Sequence, residues 1–197
     1  MPDDLTNQPS NFRQRTDVLT FGAELLKTIV VVGLLAFVIR TFLVQPFIVE
    51  GESMSPKFHT NDYLIIDKIS YRFSAPKRGD IIVFKYPNDT SVNYVKRVIG
   101  LPGDRVDISS GNVVVNSKQL QETYISSNVI TQMLNGRSQA SFTVPPDNYF
   151  VLGDNRPNSS DSREWGFMPK SDLIGRVAVE LLPLERAELI SRINYGA

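Results

Sequence analysis

A mainly β protein is what this sequence predicts: a compact antiparallel β-domain behind a single N-terminal transmembrane helix. One long apolar stretch near the start, and none after it, supplies the helix. The β-domain follows from short apolar runs, closely spaced and separated by Gly and Pro, with no sustained helical period among them.

The apolar stretch reads LLKTIVVVGLLAFVIRTFLV from Leu25 to Val44. At helical rise it covers about 30 Å, one hydrocarbon thickness. Its uninterrupted part, Ile29 to Ile39, is shorter, and Lys27 and Arg40 near its ends can extend their charges to the interface. A buried core helix is one competing reading. A cleaved signal peptide is another, disfavoured because no A-x-A-like site follows and the polar leader is long. The division expected is a polar N-terminal tail over 1–23, a transmembrane helix over 24–45 and a β-domain over 46–197. Arg13, Arg15 and Lys27 on the N-terminal side put the tail in the cytoplasm and the domain outside. Residues 1 to about 20 are polar and expected to be poorly ordered. Pro46 is expected to stop the helix, since it disfavours helical geometry at Gln45 and donates no backbone bond.

Strands are expected at Tyr63–Asp67, Asp80–Lys85, Tyr94–Ile99, Asn148–Leu152 and Gly175–Leu182. Val106–Ile108 and Val113–Val115 flank Ser109-Ser-Gly-Asn112, a hairpin signal. A short amphipathic helical turn is expected in the tail. Residues 119–140 are polar and aperiodic, and receive no assignment.

Composition narrows the chemistry. The chain has 197 residues, zero formal net charge and no basic block, which disfavours nucleic acid. It has no cysteine, so disulfides, thiol nucleophiles and cysteine metal sites are excluded. With one histidine, His59, zinc chemistry is disfavoured too, and neither metal nor cofactor is expected.

A hydroxyl becomes a nucleophile only when a base takes its proton. Ser53 sits in Val49-Glu-Gly-Glu-Ser-Met-Ser-Pro56, just beyond the apolar stretch, where Gly51 and Met-x-Pro suggest a constrained turn. A plain connecting turn is the simpler reading. His59 is six residues on with no obvious acid to orient it, and reads as a surface residue. Lys96 is the other candidate base. On a strand, Tyr94, Lys96 and Val98 share one face and Val95, Arg97 and Ile99 the other. A lysine on a buried face loses affinity for its proton and can act as general base. A solvated edge lysine fits the same spacing. Gly153-Asp-Asn-Arg-Pro-Asn-Ser-Ser-Asp-Ser-Arg163 is denser in polar residues than a connection needs. Asp154 or Asp161 with Arg156 or Arg163 would stiffen it. A calcium loop is an alternative, but the Glu at loop position twelve of an EF-hand is lacking. A solvated loop is another.

Together these stretches resemble type I signal peptidases (leader peptidases), the membrane-anchored Ser/Lys serine proteases that remove signal peptides from exported proteins. The family's serine box is similar to Gly51–Pro56, its lysine box to Lys96–Asp104, and its downstream box to GDNRPNSSDSREWG, Gly153–Gly166. The resemblance implies a signal-peptidase/repressor-protease-like β-domain, Ser53 as nucleophile and Lys96 as general base. It implies that Ser159 hydrogen-bonds the lysine, and that Asp154, Arg156, Asp161 and Arg163 are structural. Some members carry a serine hydroxyl two positions before the nucleophile as an oxyanion donor. Here that position is Gly51, leaving Ser53 N–H, with water or another backbone group completing the hole. A second departure, Lys57-Phe58 after the proline, is expected to act only locally. Preprotein signal peptides and a lipid bilayer are the implied partners. The implied place is a bacterial cell membrane, or a thylakoid membrane in a photosynthetic host. The rivals are another Ser/Lys protease, such as a repressor-like self-cleaving domain, a silent membrane-tethered binding domain, and a structural envelope module.

Overall fold

A computed structural model describes residues 11–38, 44–126, 128–134, 137, 139–193 and 195. The chain divides into two compact units, Met1–Phe42 and Leu43–Ala197.

In the first unit, helix α1 runs Asn11–Val38. Its Thr20–Phe37 window is apolar and long enough to cross a membrane, and none of it is buried by the protein. Phe21, Leu25, Leu26, Ile29 and Leu34 are all exposed. A helix apolar on every side needs an apolar surrounding, which a bilayer supplies. The helix starts well before the expected residue 24, because Asn11–Ala23 lacks proline and an established helix adds residues readily. Residues 1–10 and 39–43 lie outside those described.

The second unit holds the strands β1 (Val44–Ile48), β2 (Tyr63–Asp67), β3 (Ile81–Tyr86), β4 (Asp89–Gly100), β5 (Arg105–Ser109), β6 (Asn112–Val115), β7 (Lys118–Gln119), β8 (Gln139–Thr143), β9 (Asn148–Leu152), β10 (Met168–Pro169), β11 (Leu173–Leu182) and β12 (Glu188–Leu189). One sheet has the order β1-β2-β11-β3-β4-β9-β10, with β12 on β11, and the other the order β7-β6-β5-β8. Every pairing is antiparallel. Pro46, expected to end a helix, lies inside β1 opposite Ile65. It is tolerated because β1 closes the sheet order, where a missing donor costs no second ladder.

Strand β3 reads Ile-Ile-Val-Phe at its start, and all four are buried. Ile81 and Val83 join Val95, Met54, Phe58 and Leu64 in one core, while Ile82 and Phe84 join Val98, Tyr149 and Val151 in another. The sheet is therefore covered on both faces, which is why this run is continuously apolar rather than alternating. A third core of Ile99, Val106, Ile108, Val144 and Phe150 ties the two sheets together. The hairpin signal is realised as β5–β6, with Ser110 (φ 51°) and Gly111 (φ 82°) both left-handed, as a type I′ turn requires. The last long strand starts at Leu173 instead of Gly175. In place of the expected helical turn the tail makes a 3₁₀ turn, Leu184–Arg186, then pairs as β12.

Gly100 marks the join between the sheets. A Cβ there would meet Val106 Cγ2 at 2.7 Å, Val144 Cγ2 at 2.9 Å and Phe150 Cβ at 3.0 Å. Gly100→Ala is accordingly expected to destabilise the domain by about 1–3 kcal/mol, the usual scale of overpacking, read as a lower urea midpoint at unchanged m-value.

Candidate active site

A cleft of about 540 Å³ opens in the second unit, lined by Phe47 and Ile48 of β1, Glu50–Ser53, Ser91–Lys96 of β4, Asn158 and Ser160. Strand β1 ends the sheet order, and β9 pairs with β4 only from Arg97 onward. Among the described residues, β1 and the stretch of β4 that β9 leaves unpaired thus both border the cleft.

Ser53 is delivered by a loop closed at its neck. Val49 N–H donates to Asp62 O and Asn61 N–H donates to Val49 O, both at 2.9 Å. Met54 and Phe58, fully buried, pin the loop on the core, and Phe58 N–H donates to Met54 O at 3.0 Å. Asn155 fastens it from the other side: its N–H donates to Ser53 O at 3.0 Å and its Nδ2 to Glu52 O at 2.9 Å.

Lys96 lies on β4 at 3% exposure. Its Nζ hydrogen-bonds Ser53 Oγ at 2.6 Å and Val95 O at 3.1 Å, and lies 4.9 Å from the centre of the Tyr94 ring. Burial pushes its pKa down to about 8, Asp161 and Asp154 pull it back up, and Arg163 lowers it further. A tenth of the molecules, on the order of magnitude, then hold a neutral amine at pH 7. In that form the lone pair can accept the Ser53 proton directly.

The resemblance leads one to expect Ser159 Oγ on Lys96, and that bond is not formed. Ser159 Oγ is buried with no partner among the described residues. It sits over Gly153 instead, where a Cβ would lie 2.1 Å from Ser159 Oγ and 2.5 Å from Ser53 O. Lys96 Nζ meanwhile finds its partners in Ser53 and Val95. Gly51 lines the cleft at φ 87°, a left-handed conformation suited to glycine, with nothing within 4 Å of a notional Cβ.

Of the expected loop pairs, Asp161 with Arg163 is present and two-pronged, at 2.8 Å on each prong. The other two residues reach outside the loop. Asp154 takes Arg97 Nε at 2.8 Å and Nη2 at 2.5 Å. Arg156 pairs with Glu122 and also bonds Thr131 and Tyr124. Arg97 and Glu122 were not anticipated as partners, nor was Asn155. Arg97 did carry a signal, as a cation on the apolar face of a strand. His59 does have an acid nearby, Asp62 Oδ2 at 4.0 Å from Nδ1, and it contacts Arg186. Among the described residues no group of three His, Asp or Glu side chains is arranged to hold a metal.

A family model described as "Signal peptidase, peptidase S26" matches residues 22–182. The chain is 45% identical over 174 residues to a probable signal peptidase I-2 of Synechocystis sp., covering 85% of this chain and 77% of that protein. It is 43% identical over 171 residues to signal peptidase I of Leptolyngbya laminosa, covering 83% and 81%. To signal peptidase I P of Bacillus subtilis subsp. natto it is 39% identical over 166 residues, covering 82% and 89%.

Asp154→Ala leaves the Arg97 guanidinium buried and without its carboxylate. Removing one partner of such a pair typically costs about 3–5 kcal/mol, so the variant is expected to lose most of its folded stability in urea denaturation.

Proposed function

Since the chain belongs to the signal peptidase family, peptidase S26, we propose that Ser53 is the nucleophile and Lys96 the general base with which it removes signal peptides from exported preproteins. The observation that carries this is the 2.6 Å contact between Lys96 Nζ, 3% exposed, and Ser53 Oγ at the floor of a cleft. Ser53 Oγ attacks the carbonyl of the signal peptide's last residue as neutral Lys96 takes its proton. The ammonium returns that proton to the departing amine, the mature N-terminus. Water, deprotonated by the same lysine, then releases the acyl group from Ser53.

The two unpaired strand edges suit an extended substrate, which would add its backbone to β1 and β4 across the cleft. Ile48, Val92 and Tyr94 along the walls fit shallow pockets for small residues at the last and third-last positions of the signal peptide. Ser159 contributes a buried hydroxyl beside Ser53, free to donate or accept as the lysine changes charge. Asp154, Arg156, Asp161 and Arg163 hold the surrounding loop through their ion pairs. The protein is membrane-anchored through α1, and confinement to one surface raises the effective concentration of an anchored substrate. In this reading 1–23 is cytoplasmic, 24–45 carries the span, and 46–197 works outside a bacterial cell membrane or in a thylakoid.

Ser53→Ala, Lys96→Ala and Lys96→Arg are each expected to abolish cleavage of a preprotein in detergent, the last because arginine stays charged. Wild-type activity in any of them overturns the dyad. The pH profile follows from the lysine's direction of shift. Protonation below about 8 removes the base, so kcat/KM should fall tenfold per unit on the acid side and level off above. A flat profile from pH 6 to 9 would exclude Lys96 as base.

A further inference from the structure

Gly51 removes a side chain from the place where an oxyanion needs help, and what remains is a backbone N–H. Its aim is set by the Glu52–Ser53 peptide. That bond is not among the cis peptides of the chain, so its C=O and N–H point in opposite directions. The C=O end is held twice: Asn155 Nδ2 donates to Glu52 O at 2.9 Å and Ser55 N–H donates to it at 3.1 Å. The N–H end, on Ser53, meets no acceptor among the described residues, although Ser53 lines the cleft. The next carbonyl along, Ser53 O, is held by the Asn155 backbone N–H at 3.0 Å. Both oxygens flanking the nucleophile's amide therefore accept from one residue of the downstream loop, Asn155. The backbone half of this clamp docks the loop without help from a side chain. The side-chain half acts on the peptide plane itself.

We propose that Asn155 is a positioning residue for the reaction: its side-chain amide pins Glu52 O and so turns Ser53 N–H toward the oxyanion that forms when Ser53 attacks. The proposal rests on Ser53 and Lys96 acting as described above. A single preorganised donor can be worth on the order of 10²–10³ in rate. Losing the shorter of the two bonds that aim it, while the donor and the Ser55 bond stay in place, costs less, about tenfold.

The test uses the full chain in detergent with Asn155→Ala and Asn155→Leu; the second keeps the bulk and adds no charge but has no amide to donate. Two probes are compared: a peptide aldehyde matching the C-terminal end of a signal peptide, and the corresponding peptide amide. Ser53 Oγ adds to the aldehyde carbon, its proton passes to Lys96, and the former carbonyl oxygen becomes the oxyanion. The amide only occupies the cleft. Both variants are expected to lose about tenfold in kcat with KM unchanged. Aldehyde affinity should weaken by the same factor, amide affinity should not change, and the midpoint of the pH–rate profile should stay at its wild-type value. The ratio of the two affinities does not depend on the fraction of protein that is folded. The proposal is overturned by an unchanged kcat, by a loss carried in KM, by equal weakening of aldehyde and amide, or by a shifted pH midpoint. Ser53→Ala separates the two levels. If it binds the aldehyde as tightly as wild type, the nucleophile assignment fails. If it loses the aldehyde's advantage while both Asn155 variants keep it, only the role of Asn155 fails.

Discussion

Keeping an amine out of water beside a hydroxyl is the constraint on which this architecture depends. A buried lysine normally escapes the cost of desolvation by pairing with a carboxylate, which holds its proton and makes it useless as a base. Two carboxylates, Asp161 and Asp154, do act on Lys96 and raise its pKa. Each is already engaged in a two-pronged bond to an arginine, Asp161 with Arg163 and Asp154 with Arg97. Arg163 opposes the pull of the carboxylates on the lysine, and burial is the largest of these effects. Burial therefore prevails, and the amine ends near 8 rather than in the ordinary lysine range.

That balance is a property of strand β4. Neighbouring side chains on a strand point to opposite faces, so Lys96 and Arg97 are separated by the sheet itself although adjacent in sequence. Arg97, 2% exposed, bonds Asp154 and Gly79 O and lies 4.0 Å from the centre of the Tyr124 ring. Among the described residues Lys96 Nζ meets Ser53 Oγ, the Val95 carbonyl and the Tyr94 ring, over which it lies. One strand thus carries a guanidinium paired with a carboxylate and, next to it, an amine whose proton affinity burial lowers.

Much of this was readable from residue order, and what was not has a common cause. The β5–β6 turn was clear because Ser110-Gly111 is a local conformational demand, and β3 was clear because a short apolar run bounded by Pro, Gly and Asp has few other uses. Ser53 and Lys96 stood out through their boxes, not through their spacing. The partners of Asp154 and Arg156 were missed because ion pairs are decided in three dimensions. Arg97 is 57 positions from Asp154, and Glu122 is 34 from Arg156, in a segment with no periodicity to mark it. That Val44 and Gln45 open an edge strand instead of closing the expected 24–45 helix was missed for the same reason, since the pairing with β2 is not visible in the local sequence.

The downstream loop does more than supply countercharges, because it also decides where the sheet stops. Strand β9 pairs with β4 from Gly100 back to Arg97 and no further. Beyond Leu152 the next amide, Gly153 N–H, donates to Asp161 Oδ2 at 3.0 Å instead of extending the ladder. Asp154 is meanwhile drawn to the Arg97 side chain. The chain leaves the sheet there, and β4 keeps a bare edge from Ser91 to Lys96 along the cleft. An unpaired edge is ordinarily a hazard that proteins cover or shorten, because it invites other chains to pair. Here the same carboxylates that raise the proton affinity of Lys96 also mark where the ladder ends, beside the stretch of β4 that lines the cleft with Ser53. The proton affinity of Lys96 and the length of the bare β4 edge are therefore tied to one set of bonds.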